Sequence, residues 1–138
     1  MLSKQRLPDI YGPNDKRSKI LNLIKNTARK ETLLKMSPGE QELDLVFIDD
    51  IVEGFIQSSK VVEQTEQYFN VYALSSRKPI KLKEIAKLFE SVNDTKVNIE
   101  WGALDYRENE IMKVNIPNNI LPAWESKIPL EVGLKMIW

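Results

Sequence analysis

Leu43 to Ile48 is a nearly continuous apolar run, broken only by Asp44, and Asp49-Asp50 follow it at once. A short run of this kind fits a strand buried on both faces, as in a parallel sheet. The two carboxylates suit the capping of a helix's exposed N–H groups. Ile51, Val52, Phe55, Ile56, Ser59 and Val62 then give that helix an apolar stripe. A strand covered on both faces and feeding straight into a helix commits the chain to packed α/β layers. Gly54 inside the helix costs about 1 kcal/mol relative to Ala, so it marks close packing.

The same alternation runs along the chain. Leu7 to Tyr11 reads as a short strand that enters a Gly-Pro turn. Ile20, Leu23, Ile24 and Ala28 recur at helical spacing, so a helix is expected over about 15–30, capped by Asn14 or Asp15. A strand over Leu33 to Met36, a turn at Ser37-Pro-Gly-Glu and a strand over Tyr68 to Leu74 are expected next to these. Ile85, Ala86, Leu88, Phe89 and Val92 make a helix, Val97, Ile99 and Trp101 alternate as in a strand, and a last helix opens at Pro129. From Gly102 to Trp124 periodicity is weak. The 138 residues suit one domain, 1–138.

Zero cysteines exclude disulfides and thiolate chemistry, and zero histidines remove the commonest general base and transition-metal ligand together. No metal site is expected. No run approaches the length of a membrane span, and the first residues hold no apolar core of a signal peptide, so a cytoplasmic location is expected. The net charge is zero but unevenly laid out: residues 1–35 hold nine Lys/Arg against three Asp/Glu, and 36–66 hold one against eight. The basic lobe could attract a diphosphate, or its charges could form the solvated face of one helix. Nucleic acid is disfavoured, because few aromatics interleave with the charges.

No catalytic constellation emerges from the residues alone. There is no G-x-G-x-x-G, no phosphate loop and no G-x-S-x-G. Arg107 stands out in Leu-Asp-Tyr-Arg-Glu-Asn-Glu, a loop after a strand, because a guanidinium matches phosphate oxygens bidentately. A surface ion pair with Glu108 or Glu110 is the alternative.

Arg6–Asp15, Asp44–Phe55, Tyr68–Val71 and Trp124–Leu134, in that order, resemble segments of extended short-chain dehydrogenase/reductases, the NAD-dependent epimerase/dehydratase family. Trp-Gly-Ala-Leu-Asp-Tyr-Arg-Glu-Asn-Glu-Ile-Met is similar to the branch of CDP-abequose synthase-like nucleotide-sugar 4-keto reductases. The resemblance implies a partial Rossmann-like sheet edge plus a small mixed α/β substrate-binding lobe, lacking the N-terminal dinucleotide-binding half. It implies that Leu7 and Pro8 pass the cofactor and that Asp9, Tyr11, Leu33 and Arg107 meet the substrate, a nucleoside-diphosphate sugar. NAD or NADP is implied as the cofactor of the family, not bound by this chain alone. Leu43 departs from the family, standing where many relatives carry a second phosphate-binding arginine.

The Tyr-x-x-x-Lys pair of the family has no counterpart here. The chain therefore reads as the substrate-binding portion of a nucleotide-sugar epimerase, dehydratase or 4-keto reductase of surface polysaccharide synthesis, inactive alone. A nucleotide-binding half supplied in trans, or self-association, would be its expected partner. The alternative is a standalone module that binds a sugar nucleotide or a protein.

Overall fold

In the computed structural model, which describes residues 2–138, eight short strands and four helices alternate. They are β1 (Leu2–Arg6), β2 (Asp9–Tyr11), α1 (Ile20–Lys30), β3 (Leu34–Met36), β4 (Glu42–Leu43), β5 (Leu45–Phe47), α2 (Ile48–Gln64), β6 (Phe69–Ala73), β7 (Ile80–Lys81), α3 (Leu82–Asn93), β8 (Ile99–Trp101) and α4 (Leu130–Met136). The strands form pairs: β1 with β6, β2 with β5 and β3 with β8 are parallel, and β4 with β7 is antiparallel. The α/β class expected from the alternation is the class observed.

The run expected as one strand, Leu43 to Ile48, is divided. Asp44 is the break: Leu43 ends the antiparallel pair, and Leu45–Phe47 open the parallel one, buried at every position. A carboxylate cannot be buried unpaired. Asp44 is buried, and its side chain accepts from both the backbone N–H and the hydroxyl of Ser76. Its carbonyl accepts the N–H of Asp9 at 2.8 Å, which starts the β2–β5 ladder. The strand expected at Leu7 begins only at Asp9, because Pro8 has no N–H to give a ladder and separates β1 from β2.

Helix starts differ from expectation for similar reasons. The helix α1 begins at Ile20, not near 15, and neither Asn14 nor Asp15 caps it. The Asp15 carboxylate instead accepts from the backbone and guanidinium of Arg17, and the Asn22 side chain donates to the carbonyls of Asp15 and Arg17. The turn from Gly12 to Lys19 is thereby held as a loop. Likewise α2 begins at Ile48, so Asp49 and Asp50 lie within its first turn. Asp50 is buried, and its carboxylate accepts from the N–H groups of Lys127 and Ile128 and from the Ser126 hydroxyl.

Two apolar clusters hold these layers together. The larger joins α1, α3 and α4 over β5 through Ile24, Phe47, Ile85, Phe89 and Leu134. The smaller joins α2 to β6 and the segment 120–124 through Ile51, Leu74, Leu121 and Trp124. Close packing at Gly54 is real: a Cβ there would meet Leu74 at 2.7 Å. The apolar stripe expected on α2 is only partly covered, however. Ile51 is buried, whereas Val52, Phe55 and Ile56 are each about half exposed.

Candidate functional site

Leu7, Pro8, Asp9 and Tyr11 line one cavity of about 220 Å³, where β2 leaves the β1 end and meets the start of α1. Asp15, Arg17 and Lys19 line it as well. That volume is smaller than the ~300 Å³ at which whole-ligand pockets begin, so it suits one portion of an extended ligand. A larger cleft of about 750 Å³ lies between α2 and the segment 120–127, lined by Glu53, Lys60, Arg77 and Trp124, and holds none of the expected site residues.

The four expected residues play different parts. Leu7 is half exposed and Pro8 partly so, giving the cavity an apolar lip. Asp9 stands at the rim. Loss of water there is the main cause that raises its carboxyl above the ordinary value of 3.8; the nearby Lys19 charge opposes the rise and the Asp44 charge adds to it. Tyr11 is buried and packs edge-on against Phe47, ring centroids 5.4 Å apart. Burial, reinforced by the charges of Asp50 and Glu131, pushes its hydroxyl above the ordinary value of 10. With no lysine to lower it, Tyr11 keeps its proton at neutral pH. Its hydroxyl sits against Gly133 of α4, where a Cβ would collide with it.

Arg17 and Lys19 precede α1, outside the helix expected over about 15–30, and line the cavity, so of the two readings of the basic lobe the solvated helix face does not hold for them. Arg17 is held at 2.7 Å by Asp15, and that pairing lowers the Asp15 carboxyl to about 2. The signal available was Gly12-Pro13-Asn14-Asp15, four turn-forming residues that delay a helix. Asn14 does take a left-handed conformation, with φ of 62°.

Leu33 and Arg107 are not brought to this cavity. Leu33 is half exposed just before β3. Arg107 is exposed on a loop whose flanks are fastened by Leu104 N–H to the Met36 carbonyl, Glu40 N–H to the Tyr106 hydroxyl and Glu42 N–H to the Met112 carbonyl. Among the described residues it makes no ion pair with Glu108 or Glu110.

A dinucleotide's pyrophosphate needs glycines that let backbone N–H groups close around it. The glycines here do not fit that use. Gly12 lies against Ile48, Gly39 against Trp101, Gly54 against Leu74 and Gly133 against Tyr11, each space already taken by a side chain. Gly102 has open space around it but precedes no helix. Among the described residues no group of His, Cys, Asp and Glu is placed to hold a metal ion, and no helix is long and apolar enough to cross a membrane.

Residues 5–72 match the model of the NAD dependent epimerase/dehydratase family. The chain is 36% identical over 104 residues to a CDP-abequose synthase of Yersinia pseudotuberculosis, covering 74% of this chain and 35% of that protein. It is 25% identical over 132 residues to a CDP-abequose synthase of Salmonella muenchen, covering 94% of this chain and 44% of that one. The chain thus spans less than half the length of these relatives. The structure of MoeE5 in complex with UDP-glucuronic acid and NAD superposes on 98% of this chain and 45% of its own, with a TM-score of 0.82 at 13% identity, and so shares the fold. The sequence matches and the shared architecture agree: the chain belongs to the NAD dependent epimerase/dehydratase family.

Proposed function

We propose that this chain is the substrate-binding portion of a nucleotide-sugar epimerase, dehydratase or 4-keto reductase, and that the cavity at β2 receives one part of a nucleoside-diphosphate sugar, its sugar or a phosphate. The observation that supports this most is that Asp9 and Lys19 line one small cavity together. A carboxylate can accept from sugar hydroxyls, and Lys19, the cation there that no carboxylate already holds, can neutralise phosphate charge, with Arg17 paired to Asp15 beside it. At about 220 Å³ the cavity takes the sugar or a phosphate, with the nucleoside outside it. Leu7 and Pro8 form the lip on what would be the cofactor side; Leu33 and Arg107 stand outside the cavity, and the family resemblance alone assigns them to the base and the outer phosphate. On this reading the chain belongs to deoxysugar synthesis for surface polysaccharide and is inactive alone. The hydride and proton donors of the reaction would come from a nucleotide-binding half in trans.

Titration calorimetry with CDP and with a CDP-hexose tests the site. Binding is expected to be weak and to fall by about ten- to a hundredfold in Lys19→Ala or Arg107→Ala, the loss of one charge-assisted phosphate contact at roughly 1.5–3 kcal/mol. Equal binding by both variants and the native chain would remove the diphosphate assignment. A standalone binding module is the second reading. The closed larger cluster favours it, since Ile24, Ile85, Phe89 and Leu134 are fully enclosed by this chain's own residues.

A further inference from the structure

The cleft between α2 and the segment 120–127 shares no lining residue with the cavity at β2. Its volume of about 750 Å³ falls among those of whole small-ligand sites, roughly 300–1,000 Å³. The charges along it are not balanced among themselves. Lys127 is paired with Glu53 at 3.2 Å, whereas Lys60 and Arg77 have no carboxylate partner among the described residues. Glu125 is the single acid left to face these two cations. Between the charges run exposed Pro122, Ile56, which is half exposed, and the buried ring of Trp124.

Two unusual backbone positions meet at the same cleft. Among the described residues, five other than glycine have positive φ. Glu31 and Asp94 end helices, and asparagine, as at Asn14, tolerates the left-handed region. The remaining two, Arg77 at 60° and Ala123 at 57°, both line the cleft. Neither residue type favours this conformation, and such strain gathers at ligand clamps. Surrounding bonds hold both positions. The Arg77 N–H donates to the hydroxyl of buried Ser75 at 3.0 Å. On either side of Ala123, the Leu121 N–H donates to the Ala73 carbonyl and the Trp124 indole to the Asp50 carbonyl. Gln57 of α2 donates to the Pro122 carbonyl at 3.3 Å, so the two walls are tied to each other. The cleft is shaped before anything enters it.

We propose that this cleft binds a small organic anion, a phosphate monoester or carboxylate carried on an apolar body. Arg77 and Lys60 hold the charged group, and the planar guanidinium matches two of its oxygens at once. The body lies on Ile56, Pro122 and Trp124, taking apolar surface out of water. A cationic ligand is disfavoured, because one unpaired acid stands against two unpaired cations. Neither the family membership nor the cavity at β2 enters this assignment.

Phenyl phosphate is the probe, titrated into the full chain by calorimetry, with phenol and inorganic phosphate as its two halves. It should bind at least about tenfold more tightly than either half, since each half forgoes one kind of contact. Lys60→Ala should weaken it by about tenfold, and Glu125→Gln should strengthen it. Arg77→Gly separates binding from folding. Glycine takes the left-handed conformation freely, so the melting temperature should hold or rise while affinity for phenyl phosphate falls at least about tenfold. Lys19→Ala, at the other cavity, should leave the affinity unchanged. Equal binding of phenyl phosphate and inorganic phosphate, weaker binding in Glu125→Gln, undiminished binding in Arg77→Gly, or dependence on Lys19 would each overturn the proposal.

Discussion

The Asp50 carboxylate accepts the backbone N–H of Ile128 at 2.9 Å, across 78 positions of sequence. The same oxygen takes the N–H of Lys127, and the Trp124 indole donates to the Asp50 carbonyl at 2.9 Å. The first turn of α2 is thus the anchor for the segment that leads into α4.

Replacing Asp50 by Ala leaves those two amides without their acceptor in a half-dry site. A loss of roughly 2–4 kcal/mol is expected, more than one charge-assisted bond and less than the sum of all. Asp50→Asn, which keeps one oxygen, should lose less. Urea unfolding of the three proteins checks the order.

Gly133→Ala should destabilise, although alanine is the better helix former by about 1 kcal/mol. The added methyl would run into the ring and hydroxyl of buried Tyr11, and overpacking of this kind costs about 1–3 kcal/mol. Tyr11→Phe in the same chain should return part of the loss. A stabilised Gly133→Ala protein would show that α4 does not sit on Tyr11.

Asp9 and Asp15 should titrate in opposite directions. Asp9 has a raised pKa, so the folded chain binds its proton more tightly than the unfolded chain, and its carboxylate opposes folding increasingly as pH rises above 3.8. Asp9→Asn should therefore raise stability at pH 7 and leave it unchanged well below 3.8. Asp15, held to about 2 by Arg17, contributes stability that is present above 3.8 and lost as pH falls toward 2. Side-chain carboxyl shifts followed by NMR from pH 7 to pH 1.5 measure both.

The isolated chain should show no nicotinamide-dependent turnover of a 4-keto sugar nucleotide. It offers no hydroxyl activated by a lysine four residues on; the spaces at Gly12, Gly39, Gly54 and Gly133 are filled by side chains, and Gly102 precedes no helix. Absorbance at 340 nm, with chain free of host enzymes, is the measurement.

Elements with strong local signals were legible in the sequence. The periodic stripes of α1 and α3 and the buried run at β5 gave fold class and order, because burial on a fixed period is written directly in residue type. The strand β1 was not legible. Leu-Ser-Lys-Gln-Arg has no apolar alternation, and it is a strand because β6 supplies its ladder. The break at Asp44 and the late start of α1 depend on Ser76 and Arg17, partners that no local pattern reveals. At the site, Asp9 and Tyr11 fall together because they share one strand, while Lys19 joins them only through the path of the turn.

Asp44 has its main chain fastened to Asp9 and its side chain fastened to Ser76. The rim of the cavity and the Ser75–Pro79 loop therefore share a single fulcrum, although that loop contributes nothing to the cavity wall. Whatever pulls on residues 75–79 is passed through Asp44 to the backbone of Asp9, where the β2–β5 ladder starts. A substitution confined to residues 75–79 can therefore disturb the cavity rim through Asp44 without touching any residue that lines the cavity.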